Sequence, residues 1–252
     1  MMPTLSGLRP AWRTAPAWMA LVGLLAAAPA SASEFSVAPI RVELRAGALS
    51  ETITVTNHAE APLRVGIKLM EWTQDAKGED VYKETTDLVY FPRQMDLPPG
   101  AQRLVRVGAK APAGVTERTY RLFVEEQPEA AAEPGQARIA VFLRFGVPVF
   151  LPPAAPRSQP EILQPTLDHG RLSLQVKNEG NQHFRLLRLL VQDGAGFSQE
   201  ITGWYSLAGS ERTYSLEVPR DVCRKARTLT IAVEGEGLRA DRKLDVDPAR
   251  CS

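Results

Sequence analysis

Phe35-Ser-Val-Ala-Pro-Ile-Arg-Val-Glu-Leu44 and Glu51-Thr-Ile-Thr-Val-Thr-Asn57 alternate apolar and other residues. A period of two places one face of an extended chain on a core and the other toward water. Residues 63–72, 88–91, 103–109, 118–125 and 137–151 read the same way. Turn chemistry separates them: Asn57-His-Ala-Glu60, Asp75-Ala-Lys-Gly78, Pro98-Pro-Gly100 and Pro134-Gly135. Strands of this length at this spacing predict an antiparallel sandwich.

The proline-rich stretch Leu151-Pro-Pro-Ala-Ala-Pro-Arg-Ser-Gln-Pro160 interrupts the pattern. Proline has no N–H for a strand ladder, so this stretch reads as a stiff linker. Beyond it alternation resumes at 171–178, 183–192, 197–204, 211–218, 227–234 and 243–246. The motif Ile53-Thr-Val-Thr-Asn57 has an echo in Leu174-Gln-Val-Lys-Asn178, each a strand ending in asparagine at a turn. The expectation is an all-β chain of two related sandwiches in tandem, residues 33–151 and 161–252, joined by 152–160. No segment after residue 33 has the apolar spacing of an amphipathic helix of twelve residues or more.

Ahead of the first strand, Arg9 and Arg13 precede an apolar run over 18–28, and Ala30-Ser31-Ala32 follows. A sparse basic start, a short apolar core and a small-x-small site describe a secretory leader, with cleavage expected after Ala32. The run is shorter than the roughly 20 residues needed to span a bilayer. The formal charge of +1 becomes −1 once Arg9 and Arg13 leave, which gives no basic face for nucleic acid. Cys223 and Cys251 are the two cysteines. In an exported chain such a pair predicts a disulfide.

Four pieces, in order, resemble the PapD-like pilus-assembly chaperones of chaperone–usher systems. They are Val37-Ala-Pro-Ile-Arg-Val-Glu-Leu44 with Ile53-Thr-Val-Thr-Asn57; Leu97-Pro-Pro-Gly-Ala-Gln-Arg-Leu-Val-Arg-Val107; Arg118-Thr-Tyr-Arg-Leu-Phe-Val-Glu-Glu126; and Ala137-Arg-Ile-Ala-Val-Phe-Leu-Arg-Phe-Gly-Val-Pro-Val-Phe150. The resemblance implies two immunoglobulin-like domains set in an L. It implies a periplasmic protein that binds pilus subunits and delivers them to an outer-membrane usher. Such subunits lack a final strand, and the chaperone lends one of its own, which is β-augmentation. Ala137, Ile139, Val141 and Leu143 share one face of the corresponding segment and are the expected groove-facing residues. An exposed apolar edge also makes self-association through this strand an expectation.

Members of the family bind the subunit's C-terminal carboxylate with a pair of basic residues. The first-strand arginine corresponds to Arg41. The last-strand lysine has no clean counterpart: counting from the linker reaches Pro148, and counting from the donor segment comes close to Arg144. The resemblance to divergent branches then implies Arg144 and Arg106 as the anchoring pair, with Arg41 third. The loop 125–135, rich in Glu, Ala and Pro, joins the Tyr120 strand to the donor segment.

Enzyme chemistry finds little footing. His58, His169 and His183 lie at or beside turns, without a ligand partner at metal-binding spacing. There is no nucleophile elbow and no phosphate loop. The expectation is a non-enzyme with no cofactor, metal or small-molecule substrate. The other class open to the sequence is a secreted tandem immunoglobulin-like structural protein or pilus component.

Overall fold

The computed structural model describes residues 34–45, 48–127 and 141–251. The expected leader and two of the donor residues, Ala137 and Ile139, lie outside the described residues.

The first sandwich is built from β1 (Phe35–Ala38), β2 (Val42–Glu43), β3 (Ser50–Asn57), β4 (Leu63–Gln74), β5 (Asp80–Glu84), β6 (Leu88–Phe91), β7 (Gln94–Leu97), β8 (Gln102–Ala109), β9 (Arg118–Glu126) and β10 (Arg144–Leu151). One sheet runs β1-β3-β8-β6, the other β2-β10-β9-β4-β5 with β7 also on β4. The alternating residues do what their spacing predicts. Val37, Ile53, Val55, Val105 and Val107 of one sheet meet Val65, Ile67, Leu122, Val124, Val147 and Val149 of the other in a single core. The opening stretch is not one strand, as its alternation predicts, but two in different sheets. Pro39 lies between β1 and β2, where the chain crosses from one layer to the other.

The second sandwich follows with β11 (Pro160–Ile162), β12 (Thr166–Asp168), β13 (Arg171–Asn178), β14 (Phe184–Gln192), β15 (Ser198–Thr202), β16 (Tyr205–Ser206), β17 (Glu211–Glu217), the short helix α1 (Arg220–Lys225), β18 (Thr228–Gly235) and β19 (Leu238–Asp245). Its sheets are β11-β13-β12, with β17 on β13, and β15-β14-β18-β19, with β16 on β14. Cys223 of α1 and Cys251 of a terminal 3-10 turn form the expected disulfide. Both are buried in this core. Closing a loop between cysteines 28 residues apart is worth roughly 3.6 kcal/mol in the chain-entropy picture.

The sequence echo has a physical counterpart. Asn57 and Asn178 are both buried, and each amide nitrogen donates to three carbonyls: Ala61, Leu97 and Pro98 for the first, Gln182, Ser206 and Leu207 for the second. Each side-chain oxygen accepts the backbone N–H two residues on, from Ala59 and Gly180. One asparagine thus closes the turn after a central strand and ties it to a distant one. Asn57→Ala and Asn178→Ala should each cost about 1–3 kcal/mol, since buried carbonyls are left unpaired. Denaturant unfolding of the two variants checks this, and the loss should fall in the sandwich that carries the change.

The proline-rich stretch is pinned rather than loose. Asn181 holds Arg157 by two backbone-directed bonds, and its amide reaches Ala155 and Val115. Gly180 lies so close to the Arg157 carbonyl that any side chain there would collide with backbone. Between the sandwiches, Trp72 and Phe150 of the first pack against Tyr205 and Leu207 of the second in a separate buried cluster. Gln74 crosses the junction as donor to the Tyr205 carbonyl and acceptor from the Leu207 N–H.

Candidate functional site

Register fixes which side chains share the face of the β10 sheet that turns away from the first core. They are Arg41 and Glu43 of β2 and its approach, Arg144, Pro148 and Phe150 of β10, Arg121 and Phe123 of β9, and Lys68 and Trp72 of β4. The same face holds the junction with the second sandwich. Phe150 stacks on His183, with ring centres 3.7 Å apart. The His183 backbone N–H and ring Nδ1 both reach Glu117 Oε2 at 2.8 Å, and this pair is buried.

β10 is hydrogen-bonded to β9 along its whole length, Arg144 to Leu151. On its other side β2 pairs only with Val149 and Phe150. Among the described residues, the stretch Arg144–Pro148 therefore has an open backbone edge. The chain entering it carries apolar residues into solvent: Val141 is 72 % exposed, and Phe142 is also exposed. Leu143 shares the parity of Val141 but packs partly on the first core. Phe145 rests edge-on against Phe35 at 4.9 Å. The expected groove-facing set therefore divides, with Val141 open and Leu143 half-tied to its own sandwich.

The three expected anchor arginines occupy three different places. Arg144 lies on the junction-side face at the open end of β10, paired with Glu125 at 2.8 Å and seated over the Phe123 ring. Arg41 stands at the junction, in a cavity of about 190 Å³ lined in part by Glu43, Phe150, His183 and Glu236. Arg106 projects from β8, between the buried Val105 and Val107, and so faces outward from the opposite sheet. The sandwich core lies between Arg106 and the other two, so the pairing of Arg106 with Arg144 at one carboxylate is not formed in this fold. Arg41 and Arg144 share a face, but Arg41 precedes the Val42–Val149 pair. That sets it level with Pro148, four residues or about 13 Å along the strand from Arg144.

Arg121 is a residue that sequence reasoning missed. It sits cross-strand from Pro148, the place where the family lysine is lacking. It is only 5 % exposed, lies 4.2 Å from the centre of the Trp72 ring and donates to the Gly146 carbonyl. The Trp204 ring of the second sandwich lies 5.4 Å from it. Burial raises the Tyr82 hydroxyl pKa above its ordinary value, while Arg121 draws it down in part. The alternation Tyr120-Arg121-Leu122 turns the arginine away from the first core, where Trp72 of its own sandwich and Trp204 of the second lie against it.

A family profile described as pili and flagellar-assembly chaperone, PapD N-terminal domain, matches residues 34–157. That stretch is a PapD-like chaperone domain. No curated protein matched the sequence. Among solved structures, a chain of the CsuC–CsuE chaperone–tip adhesion subunit pre-assembly complex, from archaic chaperone-usher Csu pili of Acinetobacter baumannii, is similar with a TM-score of 0.58 at 18% identity, covering 84% of this chain and 98% of that one. The YadV chaperone gives 0.57 at 13% identity, over 84% and 99%. A chain of the Salmonella enterica SafA pilin–SafB chaperone complex gives 0.52 at 14% identity, over 85% and 97%. At such identities the likeness is one of fold, and it runs through both sandwiches rather than the PapD-like domain alone. The family is one of assembly chaperones, in keeping with a chain that is not an enzyme.

Proposed function

We propose that this chain works in the periplasm, holding pilus subunits folded by lending them the strand that enters β10, and passing them to an outer-membrane usher. The observation that carries the reading is the open edge of Arg144–Pro148 with exposed Val141 just ahead of it. A donor strand needs free backbone groups on one side and alternate apolar side chains to fill a groove. Ala137, Ile139 and Val141 fit that need, with Leu143 as the point where the donated face merges into the chaperone's own core. Two structures of like fold are complexes of a chaperone with a pilin or a tip subunit, which supports the same partner class here.

For the client's terminal carboxylate we propose Arg41 as first contact, with Arg144 as a second cation further along the same face. Arg106 is left for another role by its position on the far sheet. A pilus subunit would lack its last strand, whereas β10 completes its sheet from end to end; this favours chaperone over pilus component. The same open edge makes pairing between two copies of the chain part of the proposal when no client is present.

Co-expression in a periplasm with a pilin-like subunit encoded beside the chain tests the function. A stoichiometric complex is expected, with the subunit degraded or aggregated when the chain is absent. A subunit equally soluble in both conditions would remove the chaperone reading.

A further inference from the structure

Arg41 is not vacant. Its Nη1 lies 3.1 and 3.3 Å from the two carboxylate oxygens of Glu236, a residue 195 positions away in the second sandwich. Glu236 sits at the turn between β18 and β19, flanked by Gly235 and Gly237. The turn is fixed: the Glu236 N–H donates to the Arg185 carbonyl at 2.8 Å, and Gly235 packs against that same carbonyl with little room for a side chain. Gly237 has a φ of 69°, a conformation suited to glycine. The fold therefore presents one carboxylate, on a short rigid tip, to the cation beside the cavity.

Other charges at the spot do not replace it. Glu43 is 3.3 Å from Arg41, but it is also held by Arg45 at 2.7 Å. The Arg45 hydrogen bond keeps the Glu43 carboxyl below its ordinary range, against burial, with Arg41 and His183 adding to the effect. Arg185 stands 4.0 Å from Glu236 on the far side, and His183 is engaged by Glu117. Burial draws the Arg41 guanidinium down, and the hydrogen bond and charge of Glu236, with Glu43, more than offset it.

We infer that Glu236 is an internal stand-in for the client's terminal carboxylate: it occupies Arg41 in the free chain and is displaced when a client docks. This rests on the reading of Arg41 as the client anchor. The strength of the pair suits such a role. Both side chains keep sizeable solvent exposure, 37% and 42%, and ion pairs of this kind are weak and screened by salt. The contact keeps the cation from being left open to other anions and yields readily to a carboxylate that arrives with a whole paired strand behind it.

The test is a competition. Denatured pilin-like subunit, encoded beside the chain and ending in its natural carboxylate, is refolded with equal amounts of differently tagged natural chain and Glu236→Gln. Removing the stand-in should enrich the variant in complexes by about 1.4- to fivefold, the range spanned by exposed pairs. The enrichment should shrink at high salt. It should vanish for a subunit extended by three C-terminal residues, whose carboxylate no longer reaches Arg41. Equal capture of the natural-ended subunit, with Arg41→Ala losing capture, would overturn the stand-in and leave the anchor in place. Full capture by Arg41→Ala would remove the anchor reading and this inference together. Glu236 is exposed, so the variant should melt with the natural chain, and a melt that differs by many degrees would show the contact to be structural and end the proposal.

Discussion

Val141→Asp is expected to abolish client capture while leaving the free chain folded. At 72 % exposure the valine contributes little to the chaperone's own stability. In a client groove it would be buried, gaining about 1.5–3 kcal/mol. The aspartate forfeits that gain and also places a carboxylate in apolar surroundings, a further cost of several kcal/mol unless it is paired. Since about 1.4 kcal/mol is tenfold in affinity, capture should fall by more than about 100-fold. Affinity pull-down of co-expressed subunit reads the loss, and a thermal melt of the free variant should match the natural chain. A variant that fails to fold would mean that Val141 belongs to a core and the donor face is wrongly assigned.

The second large effect is Phe150→Ala. Phe150 is fully buried at the junction, stacked on His183 and tilted against Trp72 and Tyr205. Removing a buried phenylalanine costs about 3–5 kcal/mol through lost burial and the cavity left behind. Here the cavity opens between two sandwiches, each with its own core, so the loss should appear as uncoupling. Calorimetry should show one transition dividing into two, with the disulfide-bearing sandwich unfolding separately from the first. A single transition displaced by less than about 1 kcal/mol would show that the polar crossings at Gln74 and Glu117 hold the halves together without the aromatic cluster.

The alternating stretches were legible because both of their faces obey one rule. β6 and β13 match their predicted limits, and in β13 the apolar Leu172, Leu174 and Val176 meet the core while the residues between them face outward. β5, Asp80-Val-Tyr-Lys-Glu84, was not seen: it is a short edge strand, half exposed, with charges at its ends. β19 was seen only at its end, because Arg239, Asp241, Lys243 and Asp245 dominate a strand whose other face, Leu238, Ala240 and Leu244, packs against the second core. The disulfide was readable from the count and the leader.

The site was less legible for a different reason. Arg41 is picked out by the resemblance of its strand, but Glu236 lies on a turn nearly 200 positions later, and no local pattern joins them. Arg121 looks like an ordinary solvent-side arginine until Trp204 of the second sandwich is set over it. The pairing of Arg106 with Arg144 rests on the resemblance to divergent branches, whereas the two residues belong to opposite sheets. What sequence periodicity gives is the face within a sheet. Which sheet a strand joins, and what covers it, depends on contacts between distant segments.

The brevity of β2 has a consequence of its own. By pairing only at Val149 and Phe150 it leaves, among the described residues, five residues of edge, Arg144 to Pro148, or about 17 Å. A strand laid along that edge from the Val141 end meets the end of β2 and can advance no further. On the proposed reading the terminus of β2 would act as a mechanical stop, and the length between it and Val141 as a ruler. Registration against such a stop is set by steric length, which a charge at position 148 is not needed to supply.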